Sequence, residues 1–232
     1  MKLTAPKALL VLLIPFSAAL ATEYKHDFKT VPNDPYNVLQ YTLSNGLQVY
    51  LSVKKDEPRV STNIAVRTGS KNDPAEFTGL AHYLEHMLFK GTSKMGSLNW
   101  EKEKPLLQEI SNQYELYRQT KDAAKRKAIY GKIDSLSNEA SKYVATNEYD
   151  QMVSALGARG VNAYTSLERT VYISDIPTIE MEKWMMIESE RFKELTLRLF
   201  HTELEAVFEE FNRTQDSDNR QAYYALLEAL FP

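Results

Sequence analysis

Alternating apolar and polar positions open the part of the chain that carries regular structure. In residues 38–43 and 47–53 every second residue is apolar, which is the spacing of half-buried β-strands. Ser44-Asn45-Gly46 lies between the two runs, and Asn-Gly in that position is a strong signal for a tight hairpin. Residues 59–68 have a similar strand-like composition and predict a third strand.

The spacing becomes helical after residue 98. Residues 99–144 are rich in Glu, Lys, Gln and Ala, and their apolar positions recur every three or four residues around a polar break at 121–127. This pattern predicts a helical hairpin or a short antiparallel coiled coil, inserted between two groups of strands. Residues 147–156 are predicted to form a short helix that ends at Gly157.

The last third of the chain returns to strands and then becomes helical. Residues 161–166 and 170–175 have strand-like composition, and Pro177 bounds the second run. The apolar spacing then predicts a long helix over 178–200, followed by a break at His201-Thr202. It predicts a further helix over 203–211, which resumes at 221–231. This order of elements predicts an α+β fold in which helices pack on one face of a mostly antiparallel sheet.

The first 21 residues differ in kind from the rest. Lys2 and Lys7 give a positive start, residues 8–16 form an apolar run too short to span a membrane, and residues 19–21 are small-x-small. This order predicts a cleaved signal peptide over 1–21. Because the chain has no cysteine, and hence no disulfides, a bacterial periplasm is the expected destination.

Composition and charge narrow the class of protein. The chain is 43% hydrophobic and 25% charged, which is ordinary for a soluble globular protein with no membrane span after signal removal. The net charge of −3, without a basic stripe, argues against nucleic acid as a partner. The absence of cysteine excludes thiolate metal ligands. Residues 22–37 are predicted to be an extended lead-in.

The candidate chemistry is concentrated in residues 79–92, GLAHYLEHMLFKGT. Within it His82, Glu85 and His86 form H-x-x-E-H, and on a helix these three side chains project from one face. Two imidazoles one turn apart can bind one metal ion, and a carboxylate beside them can handle a water proton. The alternative is a core helix with two buried histidines.

The helix that carries this motif is predicted to be buried. Its broad apolar face consists of Leu80, Tyr83, Leu84, Met87 and Leu88. Titratable groups on the opposite side of a buried helix need partners, and a divalent cation would satisfy them. Gly91 is predicted to end the helix as its C′ residue.

A catalytic zinc usually takes three protein ligands and one water, so the motif lacks one ligand. The candidates include His26, His201 and many carboxylates. In the helix predicted from residue 203, Glu203 and Glu210 are seven residues apart and share one edge of the apolar face, whereas Glu209 points to solvent. Helical phase therefore favours Glu203 or Glu210 and does not separate the two.

Residues 79–92 resemble the signature of the pitrilysin/insulinase family of inverted-motif zinc peptidases, which includes the mitochondrial processing peptidases. Other segments are also similar to that family: RTGS at 67–70, NAYT at 162–165 with TVY at 170–172, and ELEAVFEE at 203–210. The resemblance implies an N-terminal peptidase domain over 38–232, with residues 99–144 as an insertion that serves as a lid or a partner surface. The implied activity is zinc-dependent hydrolysis of peptides or unfolded polypeptide segments.

The resemblance also implies residue roles. His82 and His86 correspond to the histidines that bind one Zn²⁺, and Glu85 corresponds to the general base. Glu210 corresponds to the third ligand, and Glu203 corresponds to the supporting acid beside the site.

Substrate binding and partners follow from the same resemblance. Asn162 and Ala163 correspond to positions on the strand that pairs with substrate, a role that an exposed edge strand can fill through main-chain hydrogen bonds. Family members enclose substrate between two homologous halves, so a second half is expected, in the same longer chain or in another subunit. The chain is expected to be truncated at its C-terminus. The alternative function is a non-catalytic structural or regulatory subunit of a peptidase pair.

Overall fold

The computed structural model describes residues 27–231, so the predicted signal peptide at 1–21 and His26 lie outside the described residues. The chain divides into two compact units, Met1–Asp56 and Glu57–Pro232. The domain boundaries predicted at 22–37 and 38–232 remain predictions. In the described residues no helix combines the length and the apolar character that crossing a membrane requires.

The first unit contains an antiparallel sheet in the order β1-β2-β3. Its strands are β1 (Phe28–Lys29), β2 (Leu39–Thr42) and β3 (Gln48–Leu51). The predicted hairpin is confirmed, because the Leu43 N–H donates to the Leu47 carbonyl oxygen and Gly46 has a φ of 87°. Glycine suits this left-handed turn position because it has no Cβ. The described part of the predicted lead-in contributes β1.

The second unit is built on an antiparallel sheet in the order β4-β6-β5. Its strands are β4 (Arg59–Val66), β5 (Arg159–Thr165) and β6 (Thr170–Pro177). Along β6 the alternate residues Thr170, Tyr172, Ser174 and Ile176 are buried, so one face of the sheet is covered. In the described part of the chain β5 pairs with β6 alone and is therefore an edge strand.

Helices cover that face of the sheet and extend beyond it. In chain order they are α1 (Leu80–Met87), α2 (Trp100–Gln119), α3 (Ala123–Ser141), α4 (Glu148–Ala155), α5 (Met181–Lys193), α6 (Phe200–Gln215) and α7 (Asp218–Leu230). Both α1 and α5 pack against β6, and α1 also packs against β5 and α6. Tyr83, Met87 and Val207 form the core between α1 and α6. The predicted α+β fold is confirmed.

The predicted helical hairpin is confirmed as α2 and α3, but its break is shorter than expected. The Asp122 side chain accepts a hydrogen bond from the Lys125 N–H at 2.8 Å and caps α3, so the helix begins at Ala123 rather than after Lys127. Ile110, Ile133 and Ala140 form the buried centre of the hairpin.

The prediction of one long helix over 178–200 is wrong. After a 3-10 turn at Thr178–Glu180, α5 ends at Lys193, and α6 begins at Phe200 and continues through the predicted break at His201-Thr202. The connector between them leaves the helical path because its polar groups bond elsewhere. The Thr196 N–H donates to the Gly91 carbonyl oxygen, and the Arg198 side chain is fully buried.

Candidate metal centre

The N-terminus of the motif helix α1 is capped by Asp73, which lies seven residues before the helix begins. The Asp73 carboxylate accepts hydrogen bonds from the Gly79 N–H at 2.7 Å and from the Ala81 N–H at 2.8 Å. These bonds satisfy donors that the first helical turn cannot pair. The sequence predicted a loop at this point but not the cap, because the cap is not adjacent to the helix.

The end of α1 does not involve Gly91 as predicted. The helix ends at Met87, and the Phe89 N–H donates to the His86 carbonyl oxygen. Gly91 has a φ of 93°, and a Cβ at this position would collide with the Met95 carbonyl oxygen. Glycine is therefore required by the close approach of the loop that follows α1.

The predicted apolar face of α1 is only partly correct. Tyr83 and Met87 are buried, but Leu80 and Leu84 are exposed. The helix is rotated so that Glu85 points inward and is 6% exposed. The two motif histidines are half-buried and face carboxylates of α6.

His82, His86 and Glu210 come together between α1 and α6. The His82 Nε2 lies 3.8 Å from the Glu210 Oε2, and the His86 Nε2 lies 3.6 Å from the same oxygen. One candidate ligand atom from each residue lies within 4.8 Å of the other two. Two imidazoles and one carboxylate at this spacing fit a zinc ion, whose bonds to N and O are about 2.0–2.2 Å long.

Glu203 lies behind His86 rather than among the converging atoms. Its Oε2 is 3.5 Å from the His86 Nδ1, and its Oε1 is 2.5 Å from the Lys90 Nζ. The hydrogen bond with Glu203 raises the pKa of His86. Burial raises the pKa of Glu203, but hydrogen bonds from His86 and Lys90 outweigh burial and leave that pKa below its usual value. With Nδ1 engaged, the Nε2 of His86 faces Glu210.

The Glu85 carboxylate is held by the neighbouring sheet. Its Oε2 accepts a hydrogen bond of 2.5 Å from the Thr165 hydroxyl. The Thr170 hydroxyl lies 3.2 Å from the Thr165 hydroxyl and donates to the Thr68 carbonyl oxygen. Thr165 was not predicted as a site residue, although it lies two residues after Ala163 and thus on the same face of the strand.

The structure places Asn162 and Ala163 on the edge strand β5. Asn162 pairs in register with Ile173 and is exposed, whereas Ala163 pairs with Tyr172 and is half-buried. The register shifts between Arg159 and Asn162, so the strand contains a bulge just before these residues. The edge position is compatible with main-chain pairing, and the substrate-binding role stays a prediction.

Two of the other candidates lie away from this group. The His201 Nδ1 is 2.7 Å from the Tyr114 hydroxyl, and burial lowers the pKa of His201. Glu209 is exposed, as its helical phase predicted. Of the carboxylates on α6, Glu210 lies beside both Nε2 atoms and Glu203 beside Nδ1.

Comparison with known proteins gives one family match and several relatives. The family model described as Insulinase (Peptidase family M16) matches residues 48–124. An "Insulin-degrading enzyme homolog" of Dictyostelium discoideum is 43% identical over 63 residues, which are 27% of this chain and 6% of that protein. An "Uncharacterized zinc protease YmxG" of Bacillus subtilis is 38% identical over 56 residues, which are 24% of this chain and 14% of that protein.

Two solved structures share the fold. Pitrilysin matches 84% of this chain and 16% of its own, with a TM-score of 0.53 at 17% identity. A protease from Helicobacter pylori matches 86% of this chain and 34% of its own, with a TM-score of 0.54 at 22% identity. The chain thus spans a minor part of these larger proteins. The matches confirm the resemblance found in the sequence.

Proposed function

Because the chain is a member of the pitrilysin/insulinase family, we propose that it contributes the metal-binding half of a zinc-dependent endopeptidase. The proposed substrates are peptides or unfolded polypeptide segments. The observation that carries the proposal is the grouping of the His82, His86 and Glu210 ligand atoms within 4.8 Å of one another. The buried carboxylate of Glu85 lies on the same helix as the two histidines.

His82, His86 and Glu210 would hold the zinc ion. The chemistry that zinc supplies in such a site is Lewis acidity, which polarises a substrate carbonyl and favours deprotonation of a nearby water. Glu203, which is paired with Lys90, orients the His86 ring by engaging its Nδ1, and this leaves Nε2 for the metal. Manganese and cobalt suit the same donor set, which makes cobalt a useful spectroscopic probe.

Glu85 is assigned as the general base. The Thr165 hydroxyl occupies Oε2 and orients the carboxylate, so Oε1 is the oxygen assigned to accept the proton of the attacking water. The same carboxyl group then passes this proton to the leaving amine. Glu85 is only 6% exposed, so its carboxylate is largely shielded from bulk solvent.

The edge strand β5 is the proposed binding site for extended substrate. An edge strand offers main-chain donors and acceptors to any extended peptide, and Asn162 and Ala163 lie in its middle. We propose a second homologous half that completes the substrate chamber, in the same longer chain or in another subunit. Export to a bacterial periplasm is proposed from the composition of residues 1–21.

A non-catalytic partner subunit is the alternative function. Exposed apolar side chains on α6 and α7, such as Phe208, Phe211 and Tyr223, favour association with another protein surface. Association alone, however, gives no reason for a buried Glu85 beside two histidines and Glu210. The catalytic proposal accounts for both sets of residues.

The decisive substitution is Glu85→Gln, which keeps the shape of the side chain and removes its basicity. We expect one zinc per chain to be retained and peptide hydrolysis to fall about 10²- to 10⁴-fold, the usual contribution of a general base. Zinc content and cleavage of a fluorogenic peptide, both measured on the complete protein with its second half, report the two effects. The control is Glu209→Gln, because Glu209 is an exposed carboxylate on the same helix as Glu210. Hydrolysis by Glu85→Gln at the parent rate would exclude this mechanism.

A further inference from the structure

Arg198 is completely buried in the connector between α5 and α6. Its Nε and Nη2 donate to the two Glu103 carboxylate oxygens, at 2.6 and 3.0 Å. Its Nη1 donates to the carbonyl oxygens of Lys90 at 2.7 Å and Met95 at 3.1 Å, and its Nη2 donates to that of Thr92 at 3.1 Å. One side chain therefore joins α2 to the loop that follows the motif helix.

Glu103, the partner of Arg198, belongs to the α2–α3 hairpin and is also fully buried. Removing two charges from water is costly unless both are paired and hydrogen-bonded. Movement of α2 away from the connector would break this pair and leave Arg198 without its carboxylate. The contact therefore opposes motion of the hairpin as a lid.

A second contact joins the hairpin to the first turn of α6. The Tyr114 hydroxyl on α2 is 2.7 Å from the His201 Nδ1, and the Tyr114 ring lies 5.8 Å from the Phe200 ring. Phe200 packs edge-on against Tyr83 of the motif helix, and the Tyr83 hydroxyl donates to the Phe200 carbonyl oxygen at 2.7 Å. The start of α6 is thus held between α1 and α2.

These contacts connect to the metal centre through Lys90 and Glu203. Lys90, whose carbonyl oxygen accepts from Arg198, extends its Nζ to Glu203, which in turn contacts the His86 Nδ1. Glu210 lies about two turns further along the same helix. The place where α6 begins therefore sets the positions of both carboxylates relative to the motif histidines.

We infer that the α2–α3 hairpin is a brace for the metal centre and that Glu103, Arg198 and Tyr114 are positioning residues for zinc binding. The inference rests on the proposed function, because it takes His82, His86 and Glu210 as the ligands. The brace fixes the spacing between α1, which carries the histidines, and α6, which carries the carboxylates.

The test is Glu103→Gln in the full chain, with Glu109→Gln as the matched control. Glu109 lies on the same helix but forms an exposed pair with Lys132 at 3.0 Å. We expect Glu103→Gln to weaken zinc binding by up to about 10-fold, the lower end of the effect of losing an outer-shell partner, because Glu103 acts on His86 only through Arg198, Lys90 and Glu203. The absorption spectrum of bound Co²⁺ should also change. Chelator competition measures the affinity, and Glu109→Gln should change neither quantity.

A metal-free measurement separates this inference from the proposed function. Hydrogen exchange of the backbone amides in residues 88–96 and 200–210 should increase in Glu103→Gln and stay unchanged in Glu109→Gln. If the parent chain binds no zinc, the proposed function fails. The proposed function stands if the parent chain binds zinc and His82→Ala abolishes that binding. If, in that case, folded Glu103→Gln keeps the parent affinity and Co²⁺ spectrum, only the brace is excluded.

Tyr114→Phe provides the answer if Glu103→Gln does not fold. It removes one hydroxyl and leaves the ring and every charge in place. We expect zinc affinity to fall about two- to five-fold, in keeping with the loss of one hydrogen bond. Tyr130→Phe, on the same hairpin and half-exposed, is its control. A folded Tyr114→Phe variant with parental zinc affinity and an unchanged Co²⁺ spectrum would overturn the brace.

Discussion

The two ends of α6 are built differently, although each carries a carboxylate of the metal centre. At the first turns Glu203 is 12% exposed and is bonded to Lys90 and His86, and Val207 is buried in the core. At the later turns, the side chains of Phe208 and Glu210 are 59% and 51% exposed. One helix therefore combines a packed end with an open end.

The two ends of α6 therefore have different roles: one fixes the position of the helix, and the other is proposed to bind the metal. The packed end fixes where the helix lies, so its polar groups have partners and their replacement should lower the stability of the fold. The open end presents a carboxylate beside two imidazoles, so its replacement should lower metal affinity at little cost in stability. Substitutions at the packed end should thus lower the stability of the fold, and substitutions at the open end should lower metal affinity.

The largest effect on stability is expected from Arg198→Met, just before the packed end. The substitution leaves Glu103 charged and buried without its partner, which costs about 3–5 kcal/mol of unfolding free energy. Urea unfolding in the presence of a chelator measures this loss. The double variant Arg198→Met/Glu103→Leu should recover part of it, because no unpaired charge remains. A single variant as stable as the parent would contradict the idea that this end of the helix is held by the ion pair.

The next largest effect is expected from Glu210→Gln, at the open end. Zinc affinity should fall by more than the roughly 100-fold that loss of an outer-shell partner can cause, because a direct ligand is lost. The unfolding free energy without metal should change by less than about 0.5 kcal/mol, as for other exposed positions. Glu209→Gln should leave both quantities unchanged. Retained zinc affinity in Glu210→Gln would move the third ligand elsewhere, with Glu203 the first candidate.

The contrast between the ends of α6 also marks the limit of prediction from sequence. The spacing of His82, Glu85 and His86 is a local property of one helix, so it could be predicted from residues alone. Helical phase left Glu203 and Glu210 as equal candidates. The family resemblance chose between them, and the structure places Glu210 beside both Nε2 atoms. That choice depends on long-range packing that spacing does not encode.

The errors in helix boundaries have the same cause. The helical spacing continues from α5 into α6, but the connector bends away because Arg198 bonds to residues that are about 95 to 108 positions earlier in the chain. Glu103 lies in a helix rich in charged residues, yet it is fully buried where it pairs with Arg198. Tertiary hydrogen bonds overrode local propensity at both points.

The smallest effect concerns two adjacent residues on α6, Val207 and Phe208. Val207→Ala removes two buried methyl groups and should cost about 2 kcal/mol of unfolding free energy. Phe208→Ser removes a much larger side chain but should cost less than about 0.5 kcal/mol, because that side chain is largely exposed. Urea unfolding of the metal-free chain measures both, and sedimentation shows whether the chain is monomeric under these conditions. If Phe208→Ser were the more costly substitution, the open end of α6 would be packed in solution, and the division of this helix into two ends would not hold.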